Sequence, residues 1–262
     1  MSHALEKGLH LLTFVARGVN TLPKLTKASG WSKSTVHRLA SVLVEQGLLR
    51  NMDHRYLLGY RLLELSESAR SQLSYLQVAR PHLESVCRRT HETVHLGELT
   101  DGHIIYLEKI EGERGLQMKS HIGLRTPAQV TALGKVLIAH RPRAEWDSHL
   151  LELPARTERT ITERGELLLE LEAVCRQGYA LDREENERGT RCVAAPISDS
   201  TGRVIAAVSL SGASIYIDEE RQMELVPVVQ ECADAISREL GGGVERRTGP
   251  RLPASTHPGE SG

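Results

Sequence analysis

The segment His91-Glu92-Thr93-Val94-His95 matches the HExxH pattern of zinc hydrolases. That pattern binds zinc only on a helix, where the two histidines lie one turn apart and the glutamate activates water. Residues 94–99 instead alternate in polarity, which predicts a strand, and on a strand the two histidines would be about 13 Å apart. Composition alone gives roughly a one-in-twenty chance of such a match. A zinc hydrolase that uses His91, Glu92 and His95 is therefore the rival hypothesis, not the leading one.

Other catalytic motifs fail in detail. Gly134-Lys135 resembles part of a phosphate-binding loop, but Val136 stands where that loop needs serine or threonine. The sequence contains neither the GxGxxG fingerprint of dinucleotide-binding proteins nor the GxSxG turn of hydrolases. We therefore expect no catalytic residues, no metal and no cofactor, and predict that the protein is not an enzyme.

Two features predict a binding pocket. Ser209 and Ser211 interrupt an apolar run that begins at Val204. On a strand they would face the same side and offer two hydroxyls to a ligand, although a pair of surface serines shows the same pattern. Thr131-Ala132-Leu133 opens a predicted helix whose free N–H groups suit an anion, although an ordinary helix start looks the same.

Charge is divided unevenly along the chain. Residues 1–80 carry 11 Lys+Arg and 5 Asp+Glu, net +6, whereas residues 81–262 carry 22 and 29, net −7. A basic front on an acidic body favours a module that binds a polyanion, joined to a second function. Aromatic residues make up only 3% of the chain, which argues against a single-strand binder built on stacked rings.

The N-terminal sequence contains the elements of a winged helix-turn-helix. Periodic apolar residues predict a helix over about residues 4–17 and a short helix that stops at Gly30. Ser32 is a good N-cap for a third helix. The apolar stripe of that helix consists of Val36, Leu39, Ala40 and Leu43. Two short strands around a polar turn at residues 51–54 complete the order of helix, helix, helix and hairpin.

The opposite face of the third helix carries donors, hydroxyls and cations, with no acid before Glu45. Phosphate oxygens and the base edges of the major groove require such groups. We therefore predict that this helix enters the major groove of duplex DNA and that the hairpin contacts backbone or minor groove, the alternative being a merely solvated face. The candidate DNA contacts are Ser32, Lys33, Ser34, Thr35, His37, Arg38, Ser41, His54 and Arg55.

In the rest of the chain, short strands alternate with helices, which predicts an α+β fold with an antiparallel sheet. Residues 61–80 predict one helix, and Pro81 a boundary. The predicted strands cover residues 94–99, 103–110, 116–120, 192–197 and 204–211. The predicted helices cover residues 132–139 and 146–153, a helix from its cap Thr162 to Gly178, and a final helix capped by Asp218 that contains Pro227. Residues 241–262 are rich in glycine and proline and are predicted to be disordered.

The N-terminal motifs resemble the DNA-binding domain of IclR-type bacterial transcription regulators. The similar segments are Leu22-Pro23-Lys24-Leu25, Ser32-Lys33-Ser34-Thr35-Val36-His37-Arg38-Leu39 and Arg55-Tyr56-Leu57-Leu58-Gly59. The resemblance continues to about residue 240. It includes the spaced signature Gly178, Asp182, Glu185 and Cys192, followed by Ala195-Pro196-Ile197 and Gly202.

This resemblance implies a winged helix-turn-helix domain over residues 1–60, a linker and dimerisation helix over 61–80, and a GAF-like effector-binding domain over 81–240. It also implies an effector pocket. The pocket residues would be Ala132, Leu133, Asp182, Cys192, Ser209 and Ser211, with Met118 and Thr126 as looser candidates. Effectors in the family are mostly small carboxylates, aromatic acids or sugar acids.

The sequence therefore predicts a DNA-binding regulator that binds a palindromic operator as a dimer or tetramer, under the control of a small carboxylate. The resemblance favours repression. A DNA-binding protein without a ligand, whose acidic half serves only oligomerisation, is a second rival. No apolar run reaches the roughly 18 residues of a spanning helix and no signal peptide is visible, so we expect a cytoplasmic protein without a membrane partner.

Overall fold

The computed structural model describes residues 3–114, 118–150 and 153–242 of the 262-residue chain. Its contacts separate an N-terminal unit that ends at Ser74 from a C-terminal unit that begins at Tyr75. This break falls inside the segment predicted to be the linker. Among the described residues, no helix is both long enough and apolar enough to cross a membrane.

The N-terminal unit has the predicted order of three helices and a hairpin, followed by one more helix. The first three helices are α1 (His3–Ala16), α2 (Leu22–Ser29) and α3 (Lys33–Glu45). The antiparallel strands β1 (Leu49–Met52) and β2 (Arg55–Leu58) follow, and then α4 (Arg61–Ser71). Buried residues from each helix of the trio and from the hairpin, such as Leu11, Leu25, Val36 and Tyr56, form one small core.

Local chemistry explains how α3 and the hairpin begin and end. The Ser32 hydroxyl accepts a hydrogen bond from the Thr35 N–H at 3.2 Å, which confirms the predicted cap. The turn of the hairpin is shorter than predicted, because residues 51–52 belong to β1. Asp53 and His54 have φ of 48° and 61°, the left-handed geometry that a two-residue hairpin turn requires.

The hairpin is fastened to both of its helical neighbours. The Gly59 N–H donates to the Leu48 carbonyl at 2.8 Å, and the Arg61 N–H donates to the Gly47 carbonyl at 3.3 Å. A Cβ at Gly59 would lie 1.9 Å from the Gly47 carbonyl oxygen, so only glycine permits this approach. The end of α3, the hairpin and the start of α4 therefore form one closely packed assembly.

The C-terminal unit is built on a six-stranded antiparallel sheet, in the order β5-β4-β3-β8-β7-β6. The strands are β3 (Thr93–Thr100), β4 (His103–Ile110), β5 (Arg125–Pro127), β6 (Ala180–Arg183), β7 (Thr190–Ser198) and β8 (Val204–Ala213). The four helices are α5 (Tyr75–Thr90), α6 (Ala132–Ala139), α7 (Arg164–Gln177) and α8 (Glu219–Glu239).

Helices cover both faces of this sheet. Ala180, Ala194 and Ala207 share a buried cluster with apolar residues of α6 and α7. Their neighbours along the strands, such as Val193 and Val208, point to the opposite face and are also fully buried. On that side α8 packs against β7 and β8, and α5 packs against β3, β4 and α8.

The predicted single helix over residues 61–80 is wrong, because the segment contains α4 and the start of α5. Pro81 does not end a helix but lies inside α5. Proline removes one N–H from the ladder. The buried residues Leu76, Ala79 and Leu83 on either side keep α5 packed against the rest of its unit.

Three other predictions need correction, and a fourth is not tested. Met118–Ser120 is not a strand, and residues 115–117 lie outside the described part. The helix predicted over 146–153 is a 3-10 segment, Arg143–His149, and residues 151–152 are not described. Thr162 does not cap α7, which begins after Glu163. Of the predicted disordered tail, residues 243–262 lie outside the described residues.

Candidate functional site

A cavity of about 340 Å³ in the C-terminal unit lies between the sheet and the start of α6. Such a volume lies in the usual range of small-molecule sites. The eight predicted pocket residues all line it, namely Met118, Thr126, Ala132, Leu133, Asp182, Cys192, Ser209 and Ser211. They come from four strands, one helix and one loop, so only folding brings them together.

Strand register explains why the polar members face the cavity together. Asp182 pairs with Cys192 across β6 and β7, and Cys192 pairs with Ser211 across β7 and β8. Directly paired residues of an antiparallel sheet point to the same face. Ser209, two residues before Ser211, therefore shares that face and pairs with His95 on β3.

The start of α6 supplies main-chain donors at the cavity wall. The Thr131 hydroxyl caps the helix by accepting from the Gly134 N–H at 3.0 Å. Among the described residues, no acceptor bonds the N–H groups of Ala132 or Leu133. Free N–H groups at a helix N-terminus attract anions such as carboxylates.

A buried chain of charges holds Asp182 in place. The Lys135 side chain is fully buried on α6, and its Nζ donates to Glu185 at 2.7 Å and to Glu170 at 3.2 Å. The Glu185 N–H in turn donates to Asp182 Oδ1 at 2.7 Å. Burial raises the pKa of Asp182 to about 7, the Glu185 carboxylate adds to the rise, and the Lys135 ammonium opposes it. Lys135 therefore neutralises buried carboxylates inside the domain and is not placed to bind a phosphate, as the lysine of a phosphate-binding loop would.

Asp182→Asn is expected to become more stabilising as the pH rises. Because the pKa of Asp182 is higher in the folded state, wild-type stability is lost as the pH rises through about 7. The amide of the variant cannot ionise. The free energy of unfolding of Asp182→Asn minus that of the wild type should therefore increase by roughly 2 kcal/mol between pH 5.5 and pH 8. Urea denaturation at the two pH values measures this difference.

Asp199→Asn is the matched control for that experiment. Asp199 is half-buried, and the Thr201 hydroxyl lowers the pKa of its carboxyl, so it is ionised at both pH values. Its effect on stability should be the same at pH 5.5 and pH 8. An Asp182→Asn effect that is equally flat would show that this carboxyl does not titrate in that range.

Cys192 lies between Asp182 and Ser211 on the cavity floor. Burial raises the pKa of its thiol well above the ordinary value, and the Asp182 carboxylate adds to the rise. The group is therefore a thiol at neutral pH, suited to packing and weak hydrogen bonding and not to nucleophilic attack.

Sequence reasoning missed several residues of the cavity. His95 and Tyr106 face it from β3 and β4, and their ring centroids are 5.0 Å apart. The polarity alternation of β3 could have indicated which face of the strand His95 is on, but not that β3 lies beside β8. Loop residues carry no such periodic signal.

The lining of the cavity includes four cations and two acids, although three of the cations also pair with a carboxylate. The cations are Lys119, Arg125, Arg156 and Arg188, and the acids are Asp182 and Glu187.

The HExxH segment does not have the geometry of a zinc site. His91 lies in the turn after α5 with φ of 60°, before the strand begins, and its Nδ1 pairs with Glu113 at 2.9 Å. The His95 Nε2 instead bonds the Ser120 hydroxyl at 2.7 Å, and Glu92 pairs with Arg114. In the described part of the chain, no group of three His, Cys, Asp or Glu residues is placed to hold a metal ion.

The N-terminal unit presents a second candidate site, on α3 and the hairpin. Lys33, His37 and Arg38 are exposed on α3, as is Ser34, whereas Thr35 and Ser41 are half-buried. His54 and Arg55 are exposed at the hairpin turn. Within the described residues, no carboxylate pairs with any of these cations, so they are available to an anionic partner.

Arg50 braces the hairpin behind this surface. Its guanidinium stacks on the Tyr60 ring at 4.2 Å from the centroid and donates to the Tyr60 hydroxyl at 2.8 Å. The Arg50 Nε also donates to the Leu58 carbonyl at 3.2 Å. Arg50 therefore has an internal role, whereas Arg55 projects into solvent.

Comparisons with known proteins find matches for both units of the chain. The family model described as the IclR helix-turn-helix domain matches residues 4–52, and the model described as bacterial transcriptional regulator IclR C-terminal matches residues 68–238. The HTH-type transcriptional regulator KdgR of Escherichia coli is 38% identical over 84% of this chain and 85% of its own length. The DNA-binding transcriptional repressor YiaJ of the same organism is 34% identical over 92% and 88%.

Solved structures show the same fold. The IclR protein of Thermotoga maritima aligns with a TM-score of 0.77 at 34% identity, covering 92% of this chain and all of that one. An IclR homologue from Microbacterium hydrocarbonoxydans, in complex with 4-hydroxybenzoate, aligns with a TM-score of 0.73 at 28% identity. That alignment covers 84% of this chain and 90% of the homologue.

Proposed function

The chain belongs to the IclR family of bacterial transcriptional regulators, and we propose that it represses transcription by binding a palindromic operator as a dimer or tetramer under the control of a small carboxylate. Family membership makes it a DNA-binding transcription regulator with an effector-binding C-terminal domain. Its relatives are regulators, and we propose no catalytic activity for it. The name of YiaJ supports repression as the sign of control.

The exposed face of α3, which carries no acid before Glu45, is the observation that carries the proposal for DNA binding. A helix of this kind enters the major groove, and the hairpin beside it meets the backbone or the minor groove. Ser32 caps α3, so its hydroxyl is the least available of the candidates. The proposed DNA contacts are Lys33, Ser34, Thr35, His37, Arg38 and Ser41 on α3, and His54 and Arg55 on the hairpin.

Arg38→Ala is expected to weaken operator binding without unfolding the protein. The side chain is exposed and has no carboxylate partner among the described residues, so its loss removes a DNA contact and no internal one. One base or phosphate contact is worth about 1–3 kcal/mol, or roughly 5- to 150-fold in Kd. Fluorescence anisotropy with the DNA upstream of its own gene, over a series of salt concentrations, measures this change.

Arg203→Ala is the matched control, since it removes one exposed arginine from the turn between β7 and β8. It should leave operator affinity unchanged. If Arg38 contacts a phosphate, its variant should also reduce the slope of log affinity against log salt by about 1. If Arg38→Ala and the wild type bind the operator with equal affinity, Arg38 does not contact the DNA.

The cavity is the proposed effector site. The free N–H groups at the start of α6 and the hydroxyls of Ser209 and Ser211 can together satisfy a carboxylate. Asp182 can hydrogen-bond to a ligand hydroxyl from its buried position. The complex of a homologue with 4-hydroxybenzoate supports an organic acid as the effector. Ligand and operator would then change each other's affinity by the same factor.

Exposed apolar side chains in the N-terminal unit support oligomerisation. α4 has no buried residue, and two of its leucines are largely exposed, Leu63 at 67% and Leu65 at 51%. Leu5 and Leu9 are similarly exposed on α1. A second copy of the chain that covers these residues would place two α3 helices in major grooves about 34–36 Å apart, which requires a palindromic operator.

A further inference from the structure

Asp182 is a buried carboxyl group in the wall of the proposed effector cavity, and it forms no ion pair within the described part of the chain. The buried ammonium of Lys135 bonds to Glu170 and Glu185 instead. Main-chain N–H groups of Glu185 and Asn186 donate to the Asp182 carboxyl. A negative charge on Asp182 is therefore balanced by neutral donors and, at longer range, by Lys135, with a second carboxylate beside it.

These surroundings allow Asp182 to hold a proton near neutral pH. Burial and the Glu185 carboxylate raise the pKa of Asp182 to about 7, although the Lys135 ammonium opposes the rise. The wall also contains a spare acceptor for an O–H group, since Asn186 Oδ1 is buried and has no hydrogen-bond partner among the described residues. The cavity can therefore accommodate Asp182 in either protonation state.

The histidine, cysteine and tyrosine of the described lining keep one protonation state near neutral pH. Burial, together with the positive charge of Lys109, lowers the pKa of His95 to about 3, so the imidazole is neutral. Burial raises the pKa of the Cys192 thiol and that of the Tyr106 hydroxyl well above their ordinary values. Asp182 is therefore the group in this lining whose proton a bound ligand can affect.

The other groups that face Asp182 come from the helices and loops around it. From the opposite side of the sheet, α8 presents the uncharged Gln222, whose Nε2 donates to the Asp182 carbonyl at 3.0 Å. The charged groups around Asp182 and in the cavity lining are Lys135, Glu170, Arg183, Glu185, Lys119, Arg125, Arg156, Glu187 and Arg188.

The proposed binding mode brings a second negative charge close to Asp182. Cys192 lies between Asp182 and Ser211 in the strand register, so the latter two are separated by two strand spacings, about 10 Å at the backbone. A ligand carboxylate held by the serines and the start of α6 lies in the same cavity. At an effective dielectric constant of about 20, two negative charges about 10 Å apart change each other's proton affinity about tenfold. A bound carboxylate and an ionised Asp182 therefore disfavour each other.

We propose that the effector carboxylate binds together with a proton that Asp182 takes up from solvent, so that the cavity responds to pH as well as to the effector. This inference rests on the effector role proposed above for the cavity. No bond of the ligand is made or broken. The proton moves from solvent to a carboxylate oxygen of Asp182, and the occupied cavity then carries the negative charge of the ligand in place of that of Asp182. A rise in pH therefore weakens effector binding.

Calorimetry on the full-length protein, in two buffers with different ionisation enthalpies, counts the protons taken up. The probes are 4-hydroxybenzoate, benzoate and gluconate, whose carboxyl groups are ionised throughout the range from pH 6 to pH 8. With an acid that binds, the wild type should take up about half a proton or more per ligand at pH 7.8, and less than about 0.2 at pH 6. The Kd should increase about fivefold or more between pH 6 and pH 8, because the proton must be drawn from an ionised Asp182 at the higher pH.

Asp182→Asn removes the titrating group but retains an oxygen that can accept the Glu185 N–H. Its proton uptake should be less than about 0.1 at both pH values, and its Kd should change less than about twofold. Asp199→Asn is the matched control, since it replaces a carboxyl in the turn between β7 and β8, and it should take up protons as the wild type does.

The wild-type proton count decides the question even if Asp182→Asn fails to fold. Binding by the wild type with no proton uptake at pH 7.8, or an equal uptake by a folded Asp182→Asn protein, would overturn this inference and leave the effector role of the cavity standing. If none of the three acids binds at either pH, both the proposed carboxylate effector and this inference are contradicted. Operator binding without ligand, measured on the same samples, separates that outcome from a failure of the DNA-binding function.

Discussion

Replacing Lys135 with methionine should destabilise the protein by about 3–5 kcal/mol, because it leaves a buried carboxylate without its cation. Glu185 is almost completely buried, and Lys135 Nζ is 2.7 Å from its Oε1. Methionine fills the space of the lysine stem but cannot neutralise Glu185 or the nearby Asp182. Guanidinium denaturation, followed by the fluorescence of the buried Trp146, measures the loss.

The double variant Lys135→Met/Glu185→Gln should recover more than half of that loss, since no buried charge is then left unpaired at this position. Lys119→Met is the control, because Lys119 pairs with Glu187 at an exposed position, and it should cost less than about 1 kcal/mol. A double variant as unstable as the single one would show that the damage comes from packing and not from charge.

Gly134→Ala should be nearly as damaging, at about 3 kcal/mol or more, although alanine is the better helix former. A Cβ at Gly134 would lie 1.9 Å from the carbonyl oxygen of Ala128, a backbone atom that cannot turn aside. The first turn of α6 would have to shift, and with it the N–H groups at the cavity wall. The free energy of unfolding, measured by denaturation, and the calorimetric affinity for a small carboxylate such as 4-hydroxybenzoate should therefore both decrease.

Gly165→Ala is the matched control for Gly134→Ala. It also lies in the first turn of a helix, but no atom lies within 4 Å of its added Cβ. The substitution should stabilise the protein by roughly 0.5–1 kcal/mol. Two variants of similar stability would mean that the contact between Gly134 and Ala128 does not constrain α6.

Helix-forming patterns in the sequence were sufficient where one apolar stripe and one cap decide the element. Ser32 with its stripe from Val36 to Leu43 predicted α3, and Asp218 predicted the start of α8, where it accepts from the Arg221 N–H. The predictions failed where tertiary packing decides. Pro81 continues a helix because buried neighbours hold α5 in place. β5 has only three residues, too few to show alternation.

Residue patterns indicated Ala132, Leu133, Ser209 and Ser211 as pocket residues, and family resemblance added the other four. The structure brings all eight to one cavity. Their role as effector contacts remains a prediction. Spacing alone could indicate that Ser209 and Ser211 share a face. It could not show that Asp182 and Cys192 stand beside them, because that depends on the pairing of β6, β7 and β8. Nor could it show that Lys135 is buried against Glu185, since 50 residues separate the two.

The fastening of the hairpin at Gly59 limits how a ligand can act on gene expression. Main-chain hydrogen bonds and the close approach at Gly59 join α3, the hairpin and the start of α4. A force on α4 would therefore turn these elements together as a rigid body and leave the exposed face of α3 unchanged. In the proposed dimer, regulation would then be geometric, through the spacing and angle at which the two α3 helices meet successive major grooves. On the same proposal, the affinity of one DNA-binding unit for a single half-site would not depend on the effector.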